Sequence, residues 1–150
     1  MPVSAYKLPV SVLVIIHTPE LKVLVLERAD HPGYWQSVTG SLDADELPLQ
    51  AARREVFEET GLDVDKFVLS DWGLQYEFEI FEEWRHRYKP GVTLNQEYVF
   101  GLRVPQPDTV TVHAREHLGF VWLPYSEAAE KVFSWSNRAA ILKLPDMLAR

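Results

Sequence analysis

The sequence predicts an α+β or three-layer α/β/α arrangement, in which a mixed sheet carries helices on its faces. Two observations favour this class. Short segments that are β-branched or that alternate polar with apolar residues recur along most of the chain, and stretches with helical spacing or caps separate them or follow them. The length of 150 residues suits one domain, which we assign to residues 1–150.

The first strands precede Gly40. Residues 9–16 and 22–27 are rich in β-branched side chains, and Pro19 marks a turn between them, so we expect a hairpin or two adjacent strands. Residues 35–39 form another short strand, which leads the chain to Gly40.

A helix is predicted at residues 48–60. Pro48 lies near its start and Gly61 lies just past its end, as the usual asymmetry of helix caps requires. Ala52 and Val56 are four residues apart, so both should face the core.

The second half of the chain continues the mixed pattern. Further strands are predicted at residues 64–69, 74–81, 97–104 and 119–123, and helices at 126–132 and 136–144. Pro145 is expected to end the last helix. The long segment 82–96 reads as a loop, and a loop of this length in a compact domain is usually functional or disordered.

Composition excludes several classes of function. The net charge of −7 argues against a general nucleic-acid surface, which needs a basic patch. No apolar run approaches the roughly 20 residues of a membrane span, and the N-terminus lacks the apolar region of a signal peptide. The chain has no cysteine, so a metal ion would need oxygen or imidazole ligands. We expect a cytoplasmic protein that binds neither membrane nor nucleic acid.

Three carboxylates lie close together on the predicted helix. Glu55, Glu58 and Glu59 stand at i, i+3 and i+4, so they point toward one side. Like charges at this spacing destabilise a helix unless a positive charge offsets them. Mg²⁺ could supply that charge, because it prefers oxygen ligands and usually binds substrate phosphates as well. The alternative is a solvated acidic face whose repulsion Arg53 and Arg54 partly offset.

The segment from Gly40 to Leu62, GSLDADELPLQAARREVFEETGL, resembles the Nudix box at every defining position. Seven fixed residues and two aliphatic positions should coincide by chance on the order of once in ten million chains or less. The chain is thus identified as a member of a family that hydrolyses nucleoside diphosphates linked to another moiety. The resemblance implies the Nudix α/β/α sandwich, whose box is a loop–helix–loop. The sequence DADE at 43–46 departs from the many boxes that place a glycine before the glutamate.

The resemblance also implies roles for the box residues. In the family the three glutamates supply metal ligands, and one acts as base in some members. Nudix enzymes commonly recruit a further carboxylate as ligand or base, for which we prefer Glu116 to Glu97. The predicted catalytic and metal-binding residues are therefore Glu55, Glu58, Glu59 and Glu116. The predicted structural residues of the box are Gly40, Glu46, Arg54 and Gly61.

Four further segments, at 34–41, 85–100, 116–123 and 134–141, resemble one Nudix subgroup, the bacterial pyrophosphohydrolases that act on dihydroneopterin triphosphate in folate synthesis and on dATP. This resemblance implies a small-molecule triphosphate substrate, Mg²⁺ (or Mn²⁺) as cofactor, and release of pyrophosphate. The implied substrate contacts are Lys7, Arg28, Thr39, Phe78, Glu79, Ile80, Phe81 and Ser134.

Other interpretations stay open. The chain could clean the nucleotide pool by hydrolysing dNTPs, hydrolyse diadenosine polyphosphates, or serve as a Nudix-fold ligand sensor. The flat ring of a substrate could stack on Phe78 and Phe81, or on Trp35 and Tyr34, although each could equally be a core residue. The histidines show no metal-ligand spacing and are predicted to be surface or hydrogen-bonding residues; they are His17, His31, His86, His113 and His117.

Overall fold

A computed structural model describes residues 6–149, so residues 1–5 and 150 of the predicted domain lie outside the described part. The strands are β1 (Val10–His17), β2 (Lys22–Arg28), β3 (Trp35–Gln36), β4 (Val38–Ser41), β5 (Val68–Glu79), β6 (Leu94–Arg103) and β7 (His117–Pro124). The α-helices are α1 (Pro48–Thr60), α2 (Tyr125–Lys131), α3 (Trp135–Leu142) and α4 (Leu144–Leu148).

The strands form one mixed sheet of order β3-β2-β1-β6-β5, in which β4 also pairs with β1 and β7 with β2. The pairing of β1 with β6 is parallel, and the other pairings between named strands are antiparallel. The β1 and β2 strands are paired where His17 lies opposite Val23. Away from that point β1 pairs with β4, whereas β2 pairs with β7.

Apolar side chains alternate between the two faces of β1, and each face carries its own core. Val12 and Val14 pack with Val56 of α1 on one face. Leu13 packs with Ile141 of α3 on the other, where residues of α2 and α4 join the same cluster. Burying an aliphatic side chain of this size contributes about 1.5–3 kcal/mol. The helices therefore cover both faces of the sheet, and the predicted α/β/α sandwich is confirmed.

The predicted helix at 48–60 is confirmed as α1, with the expected caps. Gly61 ends it with a φ of 77°, a left-handed conformation that favours glycine, and its N–H donates to the carbonyl of Phe57 at 2.9 Å. Ala52 and Val56 are fully buried, as expected from their spacing.

The strand predicted at 64–69 is wrong. Residues Val64–Lys66 form a 3₁₀ turn because the side chain of Asp63 accepts the backbone N–H of Asp65 and so caps the turn. The β5 strand begins only at Val68 and continues, with an irregularity between Asp71 and Leu74, to Glu79. It therefore includes most of the segment at 74–81 that was predicted as a separate strand, but not residues 80 and 81.

Two boundaries later in the chain also differ from the prediction. The expected loop at 82–96 contains a 3₁₀ helix, Glu82–Arg87, and β6 already starts at Leu94. Pro145 does not end a helix over 136–144, because α3 has already ended at Leu142. Pro145 lies instead in the first turn of α4, where a missing N–H costs no helical hydrogen bond. Within residues 6–149, none of the helices has the length and apolar character needed to cross a membrane.

Candidate active site

A cleft of about 1060 Å³ is bordered by α1, β4, the end of β5, the turn at 82–87, the start of β7 and the start of α3. Every residue that the sequence assigned to catalysis, metal binding or substrate contact lines it, together with Gly40 and Arg54. Glu46 and Gly61 lie outside the lining, and both support it through α1 and its preceding loop. The fold thus gathers residues that lie far apart in sequence around one space.

Arg54 organises the carboxylates of the box. Its guanidinium binds Glu46 through two nitrogens, at 2.9 and 2.8 Å. A third nitrogen, Nη1, donates to Glu55 at 2.6 Å and to Glu58 at 3.3 Å. Hydrogen bonding to Glu46, followed by that to Glu55, raises the pKa of Arg54. Arg54 therefore supplies part of the counter-charge that the crowded glutamates need, and it restricts their rotamers.

Glu59 is the most buried member of the cluster, with 2% of its surface exposed. Neither of its carboxylate oxygens has a hydrogen-bond partner among the described residues. Burial, and next the neighbouring carboxyl group of Glu55, raise its pKa well above the usual value. Glu59 therefore lies on the inner side of α1, whereas Glu58 is exposed. The buried, unpartnered oxygens mark a position where a cation would be strongly stabilised.

A buried histidine adjoins this carboxylate. The Nε2 atom of His117 lies 3.6 Å from Oε1 of Glu59. Burial, followed by the charge of Arg28, lowers the pKa of His117 to about 4, so the imidazole is neutral at pH 7 and forms no ion pair with Glu59. The histidines were predicted to be surface or hydrogen-bonding residues, and His117 and His17 are of the second kind: both are buried, with 4% and 3% exposed. Nε2 of His117 lies 3.5 Å from Nε2 of Gln36.

The two carboxylates considered outside the box lie in different surroundings. Glu116 is exposed at the start of β7, and its charge contributes to the raised pKa of both Glu58 and Glu59. Glu97 is buried in β6 and lines the same cleft. Glu116 is therefore electrostatically coupled to the box carboxylates.

A second group of charged residues lines the edge of the cleft that we call the positive lip: Lys7, Arg28, Asp30 and Arg87. Arg28 binds Asp30 through two nitrogens, each at 2.7 Å, and its guanidinium lies 4.5 Å from the ring centre of Trp84. Arg87 contacts the same Asp30 at 3.3 Å, and the backbone N–H of Lys7 donates to the carbonyl of Arg87 at 2.8 Å. Hydrogen bonding to Arg28 lowers the pKa of Asp30 to about 2. Two guanidinium groups thus share one carboxylate, and Lys7 adds a third positive charge, which leaves a net positive lip.

Partial desolvation lowers the pKa of Lys7, and the positive charges of Arg87 and Arg28 lower it further. Sequence reasoning selected Lys7 and Arg28 but missed Arg87, which the turn at 82–87 brings to the lip. The signal available was the length of segment 82–96, which was expected to be functional or disordered, and no residue of it was singled out.

Aromatic rings form the wall of the cleft near the start of α3. Phe81 stacks on Trp84 with ring centres 5.2 Å apart, and it meets Phe133 edge-on at 5.7 Å. Trp135, which is 58% exposed, also lines the cleft beside Phe78. Sequence reasoning named Phe78 and Phe81 and missed the other three rings.

The alternative ring pair lies elsewhere. Tyr34 stacks on His31 at 3.5 Å and on Phe133 at 4.6 Å, and Lys131 covers the ring of Trp35 at 4.5 Å. Neither Tyr34 nor Trp35 is among the residues that line the cleft.

The remaining predicted contacts have their own partners. The hydroxyl of Thr39 donates to the carbonyl of Val12 at 2.8 Å, and Ser134 caps α3 by accepting the N–H of Asn137 at 3.2 Å. Glu79 is paired with Arg85 at 2.6 Å. In Ile80, which is buried, the backbone N–H donates to Thr93 and the carbonyl accepts from Arg85.

The NUDIX domain model matches residues 7–144 of the chain. The chain belongs to the Nudix family. This Nudix protein is 48% identical over 141 residues to the dihydroneopterin triphosphate diphosphatase of Escherichia coli (strain K12), a match that covers 92% of this chain and 93% of the relative. The Haemophilus influenzae protein of the same name is 40% identical over 141 residues, covering 92% and 88%.

The solved structures show the same relationship. The E. coli dihydroneopterin triphosphate pyrophosphohydrolase superposes on this Nudix protein with a TM-score of 0.88 and 46% identity, covering 93% of this chain and 97% of that one. The resemblance to the Nudix family and the predicted Nudix fold are therefore both confirmed.

Nudix enzymes generally use a divalent metal ion. The donors of the cleft fit such an ion, because they are carboxylates and because both oxygens of Glu59 are buried without a partner. Among residues 6–149, however, no three acidic or histidine side chains are already arranged around one ion position. Arg54 donates hydrogen bonds to Glu55 and Glu58, so an ion bound by these carboxylates would compete with Arg54 for their oxygens.

Proposed function

We propose that this Nudix protein is a Mg²⁺-dependent pyrophosphohydrolase that converts dihydroneopterin triphosphate and water to dihydroneopterin monophosphate and pyrophosphate. The observation that carries the proposal is that one cleft joins the box carboxylates to a positive lip and an aromatic wall. A triphosphate on a flat ring needs these three surfaces. The high identity to two dihydroneopterin triphosphate diphosphatases supports the same substrate.

The metal-binding residues in this proposal are Glu55, Glu58, Glu59 and Glu116. When bound there, Mg²⁺ would neutralise phosphate charge, polarise the phosphorus and orient a water molecule. Arg54 and Glu46 hold the carboxylates in place and so limit the entropy lost when the site assembles.

The positive lip binds the phosphates. Arg28 and Arg87 share Asp30 as counter-ion and Lys7 lies near them, so a polyphosphate can replace part of that pairing. Guanidinium groups bind phosphate oxygens through paired hydrogen bonds, which fixes the orientation of the chain of phosphates.

Glu58 or Glu116 takes the proton of the attacking water. Partial desolvation, and then the charge of Glu55, raise the pKa of Glu58, which makes its carboxylate a stronger base than an ordinary glutamate. Glu116 is exposed and lines the cleft. The water oxygen forms a bond to phosphorus, the P–O bond to the leaving group breaks, and pyrophosphate departs.

A panel of triphosphates tests the proposal. Purified protein should release pyrophosphate from dihydroneopterin triphosphate with a higher kcat/KM than from dATP or dGTP. Protein carrying Glu59→Gln, prepared in the same way, controls for contaminating hydrolases. A higher kcat/KM for dATP would favour cleaning of the nucleotide pool, and absence of hydrolysis with retained binding would favour a ligand sensor. A cytoplasmic location and a role in folate synthesis stay predictions.

A further inference from the structure

Three neighbours hold the guanidinium group of Arg28, and they differ in charge. Nε and Nη2, which form one edge of the group, donate to the two carboxylate oxygens of Asp30 at 2.7 Å each. Nη1 donates to the amide oxygen of Gln36 at 3.0 Å. The group also lies over the ring of Trp84, 4.5 Å from its centre. Asp30 is an anion, whereas Gln36 and Trp84 are neutral.

The carboxylate of Asp30 occupies the edge of Arg28 that a phosphate would use. A guanidinium group binds carboxylates and phosphates through the same paired N–H donors, so the two anions compete for Nε and Nη2. The side chain of Asp30 is 37% exposed, so an anion from solution can reach this pair. A phosphate that takes the edge displaces Asp30 and leaves Arg28 in contact with Gln36 and Trp84.

The ring of Trp84 is fixed by the aromatic wall. It stacks on Phe81 with ring centres 5.2 Å apart and planes 5° apart, and it meets Phe133 edge-on at 5.9 Å. The backbone N–H of Trp84 donates to the carbonyl of Phe81 at 2.9 Å. The guanidinium of Arg87 lies 5.9 Å from the same ring centre. Trp84 therefore joins the aromatic wall to both arginines of the positive lip.

An aromatic ring stabilises a guanidinium group without neutralising it. The attraction is to the electron-rich face of the ring, so Arg28 keeps its positive charge for an incoming anion. Arginine loses much rotamer freedom when a ligand immobilises it, and an arginine that is already held loses less. Trp84 can thus do what Asp30 cannot, because it restrains Arg28 without competing for its donors.

We propose that Trp84 is a positioning residue for phosphate binding, which keeps Arg28 in place after a polyphosphate has displaced Asp30. This inference rests on the proposed function, and it adds to the phosphate grip a residue that acts through Arg28. Trp84 lines the cleft but was not singled out by the sequence.

Binding of inorganic tripolyphosphate in buffer with EDTA tests the inference without turnover. Trp84→Leu keeps an apolar side chain but removes the ring, and titration calorimetry should show binding weakened about 3- to 30-fold, the range of a cation–π contact. Trp84→Phe keeps a ring face and should lose less affinity than Trp84→Leu. Phe57→Leu is the control, because it removes an exposed ring of α1 that does not line the cleft, and it should leave the affinity unchanged.

Asp30→Asn separates positioning from support of the ion pair. It removes the competing charge at nearly constant volume, so tripolyphosphate should bind more tightly than to the wild type. Trp84→Leu should weaken binding in this background at least as much as in the wild type. Loss of the effect there, equal weakening by Trp84→Leu and Trp84→Phe, or no weakening by either would overturn the inference.

The wild type provides a test that needs no variant at Trp84. Proton signals of the Arg28 side chain, assigned by their loss in Arg28→Lys, should show the ring-current shift of Trp84 with and without tripolyphosphate. Loss of that shift on binding, or absence of binding, would overturn the inference. A wild type that meets these expectations but hydrolyses no triphosphate would overturn the proposed function and leave the role of Trp84 standing.

Discussion

The carboxyl group of Glu55 lies directly against the Cα of Gly40, at a position that any Cβ atom on Gly40 would overlap. Gly40 is in β4 and Glu55 is in α1, so the missing side chain allows the helix to place a carboxylate against the sheet. Arg54 holds the same carboxylate from the other side at 2.6 Å. The position of Glu55 therefore depends on both neighbours.

Gly40→Ala should displace Glu55 and lower kcat about 10²-fold, the scale on which a small misplacement of a catalytic group acts. Gly40 has no positive φ, so backbone strain should not contribute. Gly119→Ala is the control, since Gly119 is also in a strand and a Cβ there would meet nothing within 4 Å. Steady-state kinetics on both variants checks the prediction, and equal activity of the two would contradict it.

Metal removal should abolish turnover. The ligands available in the cleft are carboxylates, so Mg²⁺ or Mn²⁺ should restore activity after treatment with EDTA. Pyrophosphate release is the measurement, with the metal added back in steps. Full turnover in excess EDTA would show that hydrolysis does not need a metal ion.

Glu59→Gln should abolish turnover while the free energy of unfolding holds or rises. Burial and the carboxyl group of Glu55 raise the pKa of Glu59, so ionising Glu59 destabilises the metal-free protein, and an amide removes that cost. The affinity for Mg²⁺ and the rate should fall together. Calorimetric titration with Mg²⁺ and urea denaturation test the two parts, and a near-normal kcat at ordinary Mg²⁺ would exclude Glu59 as a ligand.

Glu116→Gln should lower kcat by about 10²-fold or more, as expected for the loss of an acid–base group or ligand. Thermal stability should change little because Glu116 is exposed. Glu130→Gln, at an exposed position of α2 outside the cleft, is the control and should be silent. A large loss of kcat in Glu97→Gln together with a silent Glu116→Gln would transfer the role to Glu97.

The stability of the protein should depend on the ionisation of Glu97. Burial raises its pKa from 4.5 to about 7, so the unfolded chain releases a proton that the folded protein retains between these values. Relative to Glu97→Gln, the wild type should therefore lose stability as the pH rises from 4.5 through about 7, by about 3 kcal/mol in total. Urea denaturation of both proteins at several pH values checks this. A difference that does not vary with pH would show that Glu97 is not buried as an acid.

Sequence patterns predicted the features that depend on neighbouring residues. The helix at 48–60 could be located because Pro48, the spacing of Ala52 and Val56, and Gly61 all act within a few turns. The strand expected at 64–69 failed for an equally local reason, since one hydrogen bond from the backbone N–H of Asp65 to the side chain of Asp63 outweighed the β-propensity of the segment.

The sequence by itself determined the family, the box and the chemical identity of the residues that now line the cleft. Only the tertiary structure decided that Arg87 joins the positive lip and that Glu97 is buried where it lines the cleft. The physical reason is that both placements follow from pairing between strands distant in sequence, above all β1 with β6 and β5 with β6. That packing also decides whether a polar side chain is buried without a partner. A local sequence pattern does not show which distant segments pack together, so it could not predict this.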